Sequence, residues 1–263
     1  MNADVGVVIP SFNRPNETRR AVESVLKQTL VPKQIVVVDD GSDSENALNL
    51  RKLLQNSRVE LIFIAPSRHP GIARNVGISG LSTKWVAFLD SDDEWMPKKL
   101  EIQLEQMLQS NAKASCSNSY INNVSSEKLY LPPLKASWLK TRDLLKENLV
   151  INSTVLIDRL VLERVGKVAS SYSTRGAEDF ATWLRVSTLT DWLYIDEPLI
   201  VYANDSPDSL RKSNEFAQNY LHISGLLDFQ SWLESRGEAR GKWIRLYLRL
   251  LGPMIERFRK SNG

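Results

Sequence analysis

The chain has 263 residues, 42% hydrophobic and 25% charged, with a formal net charge of +3. That is enough for one large α/β domain with a sizeable core, it excludes a disordered chain, and it is too weakly basic to indicate a nucleic-acid partner. A single cysteine, Cys116, excludes an internal disulfide and a cysteine-based zinc site, so a reducing cytosol is the expected setting. The opening Met1-Asn2-Ala3-Asp4 enters a strand pattern at once and lacks the basic and apolar regions of a signal peptide. No apolar run approaches the length of a membrane span, and the protein is expected to stay where it is made. The chain also carries seven tryptophans, which stack on sugar rings and bases but also simply fill cores.

Val5 to Pro10 reads as a short buried strand. Asn16 to Gln28 is predicted as a helix, capped by Asn16, with Ala21, Val22, Val25 and Leu26 on its apolar side and Arg19 and Arg20 facing water. Gln34 to Val38 is a second strand ending at Asp39-Asp40-Gly41-Ser42, Glu45 to Gln55 a second helix, and Val59 to Ile64 a third strand. Gly71 to Ser79 is helix-like, and Trp85 to Leu89 runs straight into Asp90-Ser91-Asp92-Asp93. Lys98 to Gln109 is an amphipathic helix, and 111 to 134 reads as short strands and loops. Asn152 to Ile157 reads as a strand, Arg159 to Val165 as a short helix closed by Gly166, and Phe180 to Leu189 as a helix behind Glu178-Asp179. The alternation of strand and helix predicts a mainly parallel, Rossmann-like sheet covered on both faces. In such sheets ligands gather at the carboxyl ends of strands, where Pro10-Ser11-Phe12-Asn13, Asp39-Asp40-Gly41-Ser42 and Asp90-Ser91-Asp92-Asp93 are all placed.

Asp90 and Asp92, at i and i+2 past a strand, can approach one divalent cation from a turn. Their hard oxygen ligands suit Mg2+ or Mn2+, which would neutralise a departing diphosphate; the same residues can also simply make a turn and cap a helix. A carboxylate at 39–40 can accept from a uracil N–H or a ribose hydroxyl, with Gly41 supplying the turn, or can cap the next helix. Arg74, in His69-Pro70-Gly71-Ile72-Ala73-Arg74-Asn75, suits a phosphate or a carboxylate fork, or an ordinary surface ion pair. Glu178-Asp179 stands at a helix N-terminus, where an anion is stabilised and can serve as a general base, or merely complements the helix dipole.

Together these segments resemble glycosyltransferase family 2, inverting enzymes of the GT-A fold. The resemblance rests on Val8 to Arg14, Val37 to Ser42, Gly71 to Gly77, Phe88 to Trp95, Glu178-Asp179 with Leu184-Arg185, and Tyr194 to Leu199, in one order across roughly residues 4 to 205. It implies a catalytic domain over 1–205, with a nucleotide-sugar half over about 1–110 and an acceptor half over about 111–205. It also implies a nucleobase and ribose pocket at Pro10, Phe12 and Asp40, with Asn13 and Arg14 on the same donor side. Arg74, Asn75 and Ser91 become donor contacts, Asp90 the ribose-side carboxylate and Asp92 the Mn2+ or Mg2+ ligand. Asp179 becomes the catalytic base and Glu178 its support, with Asp93, Trp95 and Arg185 as accessory positions. The implied donor is a UDP-sugar carrying glucose, galactose or an N-acetyl form, and the implied reaction is a single displacement giving a β-linkage. Asp90-Ser91-Asp92-Asp93 further resembles bacterial O-antigen transferases acting on a sugar-diphosphate-undecaprenyl lipid at the cytoplasmic face of the inner membrane. Two other readings stay open at this level: a nucleotidyltransferase, although 10–15 lacks the Gly-rich phosphate loop it would need, and a non-catalytic sugar- or lipid-binding module.

Residues 206–263 read as a helical, basic amphipathic extension. From Arg240 to Lys260, seven cations alternate with Trp243, Ile244, Leu246, Tyr247, Leu250 and Phe258 against the single acid Glu256, and Gly252-Pro253 breaks the pattern. That composition suits a helix lying in an anionic membrane surface, and equally a terminal helix packed on the domain. The first of these makes the chain a peripheral membrane protein.

Overall fold

The computed structural model describes residues 3–122, 125, 128–134, 137–203 and 215–238. The first half alternates as the hydrophobic pattern requires. Ala3–Ser11 (β1), Pro32–Asp39 (β2), Glu60–Phe63 (β3) and Trp85–Phe88 (β4) are separated by the helices Pro15–Leu26 (α1), Ser44–Leu54 (α2) and Pro70–Gly80 (α3). There follow Glu94–Trp95 (β5), Lys99–Ser110 (α4), Ala114–Ile121 (β6), Trp138–Leu139 (β7), Thr141–Leu144 (α5), Leu156–Asp158 (β8) and Arg159–Arg164 (α6). Glu178–Ser187 (α7), Trp192–Tyr202 (β9) and Glu215–Ser235 (α8) complete the described elements.

One sheet runs in the order β3-β2-β1-β4-β8-β6-β9-β5, with β7 also paired to β9. The first four strands are parallel. β8 is antiparallel to both β4 and β6, while β6 and β9 are parallel to each other. The sheet is thus parallel across its first four strands and mixed beyond them. This order has one consequence for function. The carboxyl ends of β1, β2, β4, β6 and β9 share one edge, and reversed β8 presents its amino end there, so the residues just before it arrive at the same place.

Alternation along each strand sends side chains to two cores. Val8, Val36, Val38, Val86 and Phe88 face one core with α3, α7 and α8, through Ala73, Trp183 and Phe229. Val5, Val7, Ile9, Val37, Ala87 and Leu89 face the other with α1, α2 and α4, through Val22, Leu50 and Met107. Four tryptophans (Trp85, Trp95, Trp183 and Trp192) are buried core residues. Gly77 lets α3 lie directly on β1: a Cβ there would stand 2.5 Å from Val8 Cγ1. Within 206–263, α8 is described, and it packs on α7 through Leu226, Phe229 and Leu233. Residues 240–260 lie outside the described residues.

Several local expectations are corrected. Helix α1 begins at Pro15, with Arg14 in the capping position and no side-chain cap, because proline's fixed φ starts the helix and makes Asn16 its second residue. The strand expected over 152–157 is a 3-10 turn at Asn152–Thr154 followed by β8. The short strands and loops expected over 111–134 include one eight-residue central strand, β6, whose sequence ASCSNSYI buries hydroxyls and an amide rather than an alternating apolar face. Asn118 is held there by a two-way clamp on the backbone of Leu131, at 3.0 and 3.1 Å. Glu178 and Asp179 form the first turn of α7 rather than a loop before it.

Lys99, in the first turn of α4, is fully buried. Its Nζ lies 4.0 Å from the Trp95 ring centroid and 3.5 Å from the Val155 carbonyl. Burial pushes its ammonium well below the usual lysine range. Between that lowered value and the ordinary one the unfolded chain binds the extra proton, so stability should rise with pH across the window. Lys99→Met is expected to be more stable than the parent at neutral pH and to lose that rise. Urea denaturation across a pH series checks this; a variant less stable at neutral pH would contradict it.

Candidate active site

The site begins with a buried arginine. α3 starts after β3, so its first turns lie at the carboxyl edge of the sheet, and its fifth residue, Arg74, is only 5% exposed. Arg74 Nη2 donates to Asp90 Oδ1 at 2.7 Å, and Nη1 donates to Glu178 Oε1 at 2.7 Å. Burial disfavours the guanidinium charge, but Asp90 and Glu178 outweigh it and hold the group protonated above its ordinary value. Glu178, also buried, accepts at Oε2 from the Gly176 N–H at 2.7 Å. One cation therefore ties the end of β4 to the start of α7, which are 88 residues apart along the chain. The surface ion pair that Arg74 could have made is replaced by a desolvated one.

Beyond β4, three carboxylates crowd together. Asp92 is pushed above the usual carboxylate range by burial and by the neighbouring charge of Asp90, with Arg14 opposing. Arg14 Nη1 lies 2.5 Å from Asp92 Oδ2. Asp93 is buried and held well above that range by burial and by Asp90 and Asp92. It accepts from Ser153 Oγ at 2.5 Å and from the Ala203 N–H at 2.9 Å, linking the turn to the end of β9. Ser153 Oγ also accepts from the Asp90 N–H at 3.0 Å, and the Asn152 carboxamide donates to Asp90 Oδ1 at 2.8 Å. Trp95 Nε1 donates to the Ser153 carbonyl at 2.9 Å, so Trp95 supports the turn from within the core.

The β1 and β2 ends form the neighbouring part of the edge. Asp39 caps its own turn by accepting from Ser42 N and Oγ at 2.9 and 2.6 Å. Asp40 accepts from Ser67 N and Oγ at 2.7 and 2.8 Å, and each oxygen keeps a further lone pair. Asn13 adopts a left-handed backbone, donates its N–H to Ser42 Oγ at 2.8 Å and accepts from the Asp43 N–H at 3.0 Å, locking the two loops together. Pro10 pairs with Val38 in the sheet, while Phe12 is 52% exposed and offers an open aromatic face.

His69 caps α3: Nδ1 accepts from the Gly71 N–H at 3.1 Å and Nε2 lies 2.9 Å from the Ser171 carbonyl, which places the ring proton on Nε2. Asp179 is half-buried in the first turn of α7, where the open N–H groups favour an anion, and Oδ1 accepts from the Phe180 N–H at 2.6 Å.

Not every expected residue joins this assembly. Asn75 is committed to the backbone of Val168, donating to its carbonyl and accepting from its N–H, both at 2.9 Å. Arg185 pairs with Asp228 and so fastens α8 to α7. Ser91 is buried in the turn. Conversely, Asn152 and Ser153 were not readable as site residues. Asn-Ser-Thr-Val before an apolar run looks like strand, and only the reversal of β8 carries it to the site edge.

A buried cation and converging carboxylates thus stand at the carboxyl edge of a parallel half-sheet, the edge where ligands gather in α/β folds. The chain matches Glycosyl transferase family 2 over residues 6–162. It belongs to that family and is a glycosyltransferase. It is similar to the UDP-Glc:alpha-D-GlcNAc-diphosphoundecaprenol beta-1,3-glucosyltransferase WfgD of Escherichia coli, at 31% identity over 69% of this chain and 69% of that protein. Other relatives are longer: the chain matches an uncharacterized glycosyltransferase of Rickettsia conorii at 26% identity over 98% of its own length but spans 43% of that protein. Its fold is similar to that of S. aureus TarS 1–349 in complex with UDP-GlcNAc, with a TM-score of 0.66 and 16% identity over 97% of this chain and 81% of that one. It is also similar to the mannosyltransferase PcManGT of Pyrobaculum calidifontis in complex with GDP-Man and Mn2+, with a TM-score of 0.60 and 15% identity over 97% of this chain and 81% of that one.

Proposed function

We propose that this glycosyltransferase moves a hexose, or its N-acetyl form, from a UDP-sugar to a hydroxyl of a lipid-linked sugar, with inversion to a β-linkage. The observation that supports this most is the Arg74 bridge, which ties Glu178, and so the first turn of α7 that carries Asp179, to Asp90 in the carboxylate turn. The acceptor class rests on the likeness to WfgD, whose name states a diphosphoundecaprenol-linked acceptor and a UDP-Glc donor. Synthesis of O-antigen or a related surface polysaccharide is the corresponding role. The nucleotidyltransferase reading gives way to the family assignment.

The roles divide along the sheet edge, with a nucleotide-sugar half over about 1–110 and an acceptor half over about 111–205. Phe12 offers its face to the base, Asp40 accepts from base or ribose, and Pro10 shapes the pocket. Arg14 and Ser91 line the donor side, and Asp90 meets the ribose. The donor set at the turn is oxygen only, and Asp92 already accepts one cationic partner, Arg14. Among the described residues no three His, Cys, Asp or Glu side chains are grouped to hold a metal ion; hard oxygen ligands suit Mg2+ or Mn2+, which binds through one or two carboxylates together with substrate phosphates. Asp92 is the residue that would hold it, and when bound the ion supplies charge neutralisation to the leaving diphosphate.

Asp179 removes the proton from the acceptor hydroxyl as that oxygen bonds to the anomeric carbon. The bond from that carbon to the diphosphate breaks, and UDP leaves on the opposite face. Glu178 fixes the first turn of α7 and so the position of Asp179.

Among the described residues no helix is long and apolar enough to cross a membrane. The basic, aromatic 240–260 segment supports peripheral attachment to the cytoplasmic face of the inner membrane, where a lipid-linked acceptor would lie. Removing 240–263 is expected to shift the protein from membrane pellets to the supernatant. Undiminished recovery on membranes would count against this attachment.

A donor screen with Mn2+ and a synthetic sugar-diphosphate-lipid, read by mass of product, tests the reaction. Asp92→Ala and Asp179→Ala are each expected to lower turnover by about 10²–10⁴-fold with the fold retained by circular dichroism. Full turnover in either variant would remove that residue from its role.

A further inference from the structure

Asn152 is 96% buried at the start of the 3-10 turn before β8. Its Nδ2 donates to Asp90 Oδ1. That contact fixes which way the amide faces, because a flipped amide would set its oxygen against a carboxylate oxygen. The Asn152 Oδ1 that results is a buried acceptor with no partner among the described residues. Leaving such a group unmet is unfavourable. The same Asp90 oxygen also receives Arg74, whose Nε is a buried donor with no partner among the described residues. An open acceptor and an open donor, on two side chains that share one carboxylate oxygen, are the chemical complement of a hydroxyl, which can both give and take a hydrogen bond.

We infer that Asn152 is a specificity-determining residue: its Oδ1 accepts a hydrogen bond from one hydroxyl of the transferred sugar. The inference rests on the proposed transfer from a UDP-hexose and deepens it. The donor sugar is favoured over the acceptor because Asn152 bears on Asp90, within the carboxylate cluster that includes Asp92, where the donor diphosphate is proposed to sit. Sites built to hydrogen-bond a hydroxyl discriminate strongly against an analogue lacking it, because their own buried groups are then left unmet.

The test compares the parent enzyme with Asn152→Ala and Asn152→Ser, the second retaining a small polar side chain. Each is assayed for kcat/KM with UDP-glucose and with its 2-, 3-, 4- and 6-deoxy forms, and with the acceptor and its deoxy forms. The parent is expected to lose about 10–100-fold with one particular deoxy donor. Asn152→Ala should lose a similar factor with UDP-glucose and nothing further with that same analogue. Both variants should still bind UDP alone, by calorimetry, within about 10-fold of the parent, because the lost hydrogen bond bears on the ribose-side Asp90 while UDP carries no hexose. Losses that multiply for every deoxy donor would overturn the inference, as would a coupling confined to a deoxy acceptor or a variant unable to bind UDP. Absence of transfer by the parent from UDP-glucose and the other UDP-hexoses would instead overturn the reading on which it rests.

Discussion

A guanidinium placed out of water requires acidic partners, and this requirement organises the site. Arg74 has almost no exposed surface, and it is held charged by Asp90 and Glu178 at 2.7 Å each. Removing one partner from such a set is costly because it strands the remaining charge. The first turn of α7 must therefore lie against the end of β4, and the rest of the geometry follows from that constraint. That first turn of α7 carries Asp179, and the turn after β4 carries Asp92. Gly77 supports the arrangement one turn further along α3 by admitting the helix close to β1.

The Asp90–Asp93 turn is tuned by its surroundings rather than by its own sequence. Its three carboxylates differ in burial and in partners. Asp90 meets Arg74 and Asn152, Asp92 meets Arg14 near the surface, and Asp93 is sealed beneath Ser153 and Ala203. Burial first, and then the repulsion of neighbouring carboxylates, raises Asp92 and Asp93 above the ordinary range. The contact between Asp93 and Ala203 also couples the turn to the final strand, so the two halves of the sheet meet at the proposed chemistry from both ends.

Much of this was legible in the sequence where the physics is local. β1 and β2 announce themselves through runs of Val and Ile and β4 through the apolar run Trp85-Val86-Ala87-Phe88, and their polar endings mark the site edge. Helix boundaries were less legible: Pro15 starts α1 where Asn16 seemed the better cap, and the acidic pair lies inside α7. The larger gap was non-local. β6 buries serines and an asparagine, which no hydrophobic period reveals, and the antiparallel entry of β8 is what turns Asn152 and Ser153 into neighbours of Asp90. Arg74 was readable as a donor-side group, but its role as the cation joining the end of β4 to the start of α7 depends on pairings across 16 and 104 residues. Asn75, adjacent in sequence, faces the Val168 backbone instead, because helical geometry turns neighbouring side chains about a quarter-turn apart.

The central claim is that the buried charge of Arg74 positions α7, and a stability cycle tests it most directly. Urea denaturation would compare the parent with Arg74→Met, Glu178→Gln and the double variant. Arg74→Met alone should be strongly destabilising, by about 3–5 kcal/mol, because it leaves Glu178 buried without its cation. The double variant should recover on the order of 1–3 kcal/mol of that loss, since the stranded charge is gone. Simple additivity of the two single effects would contradict the account.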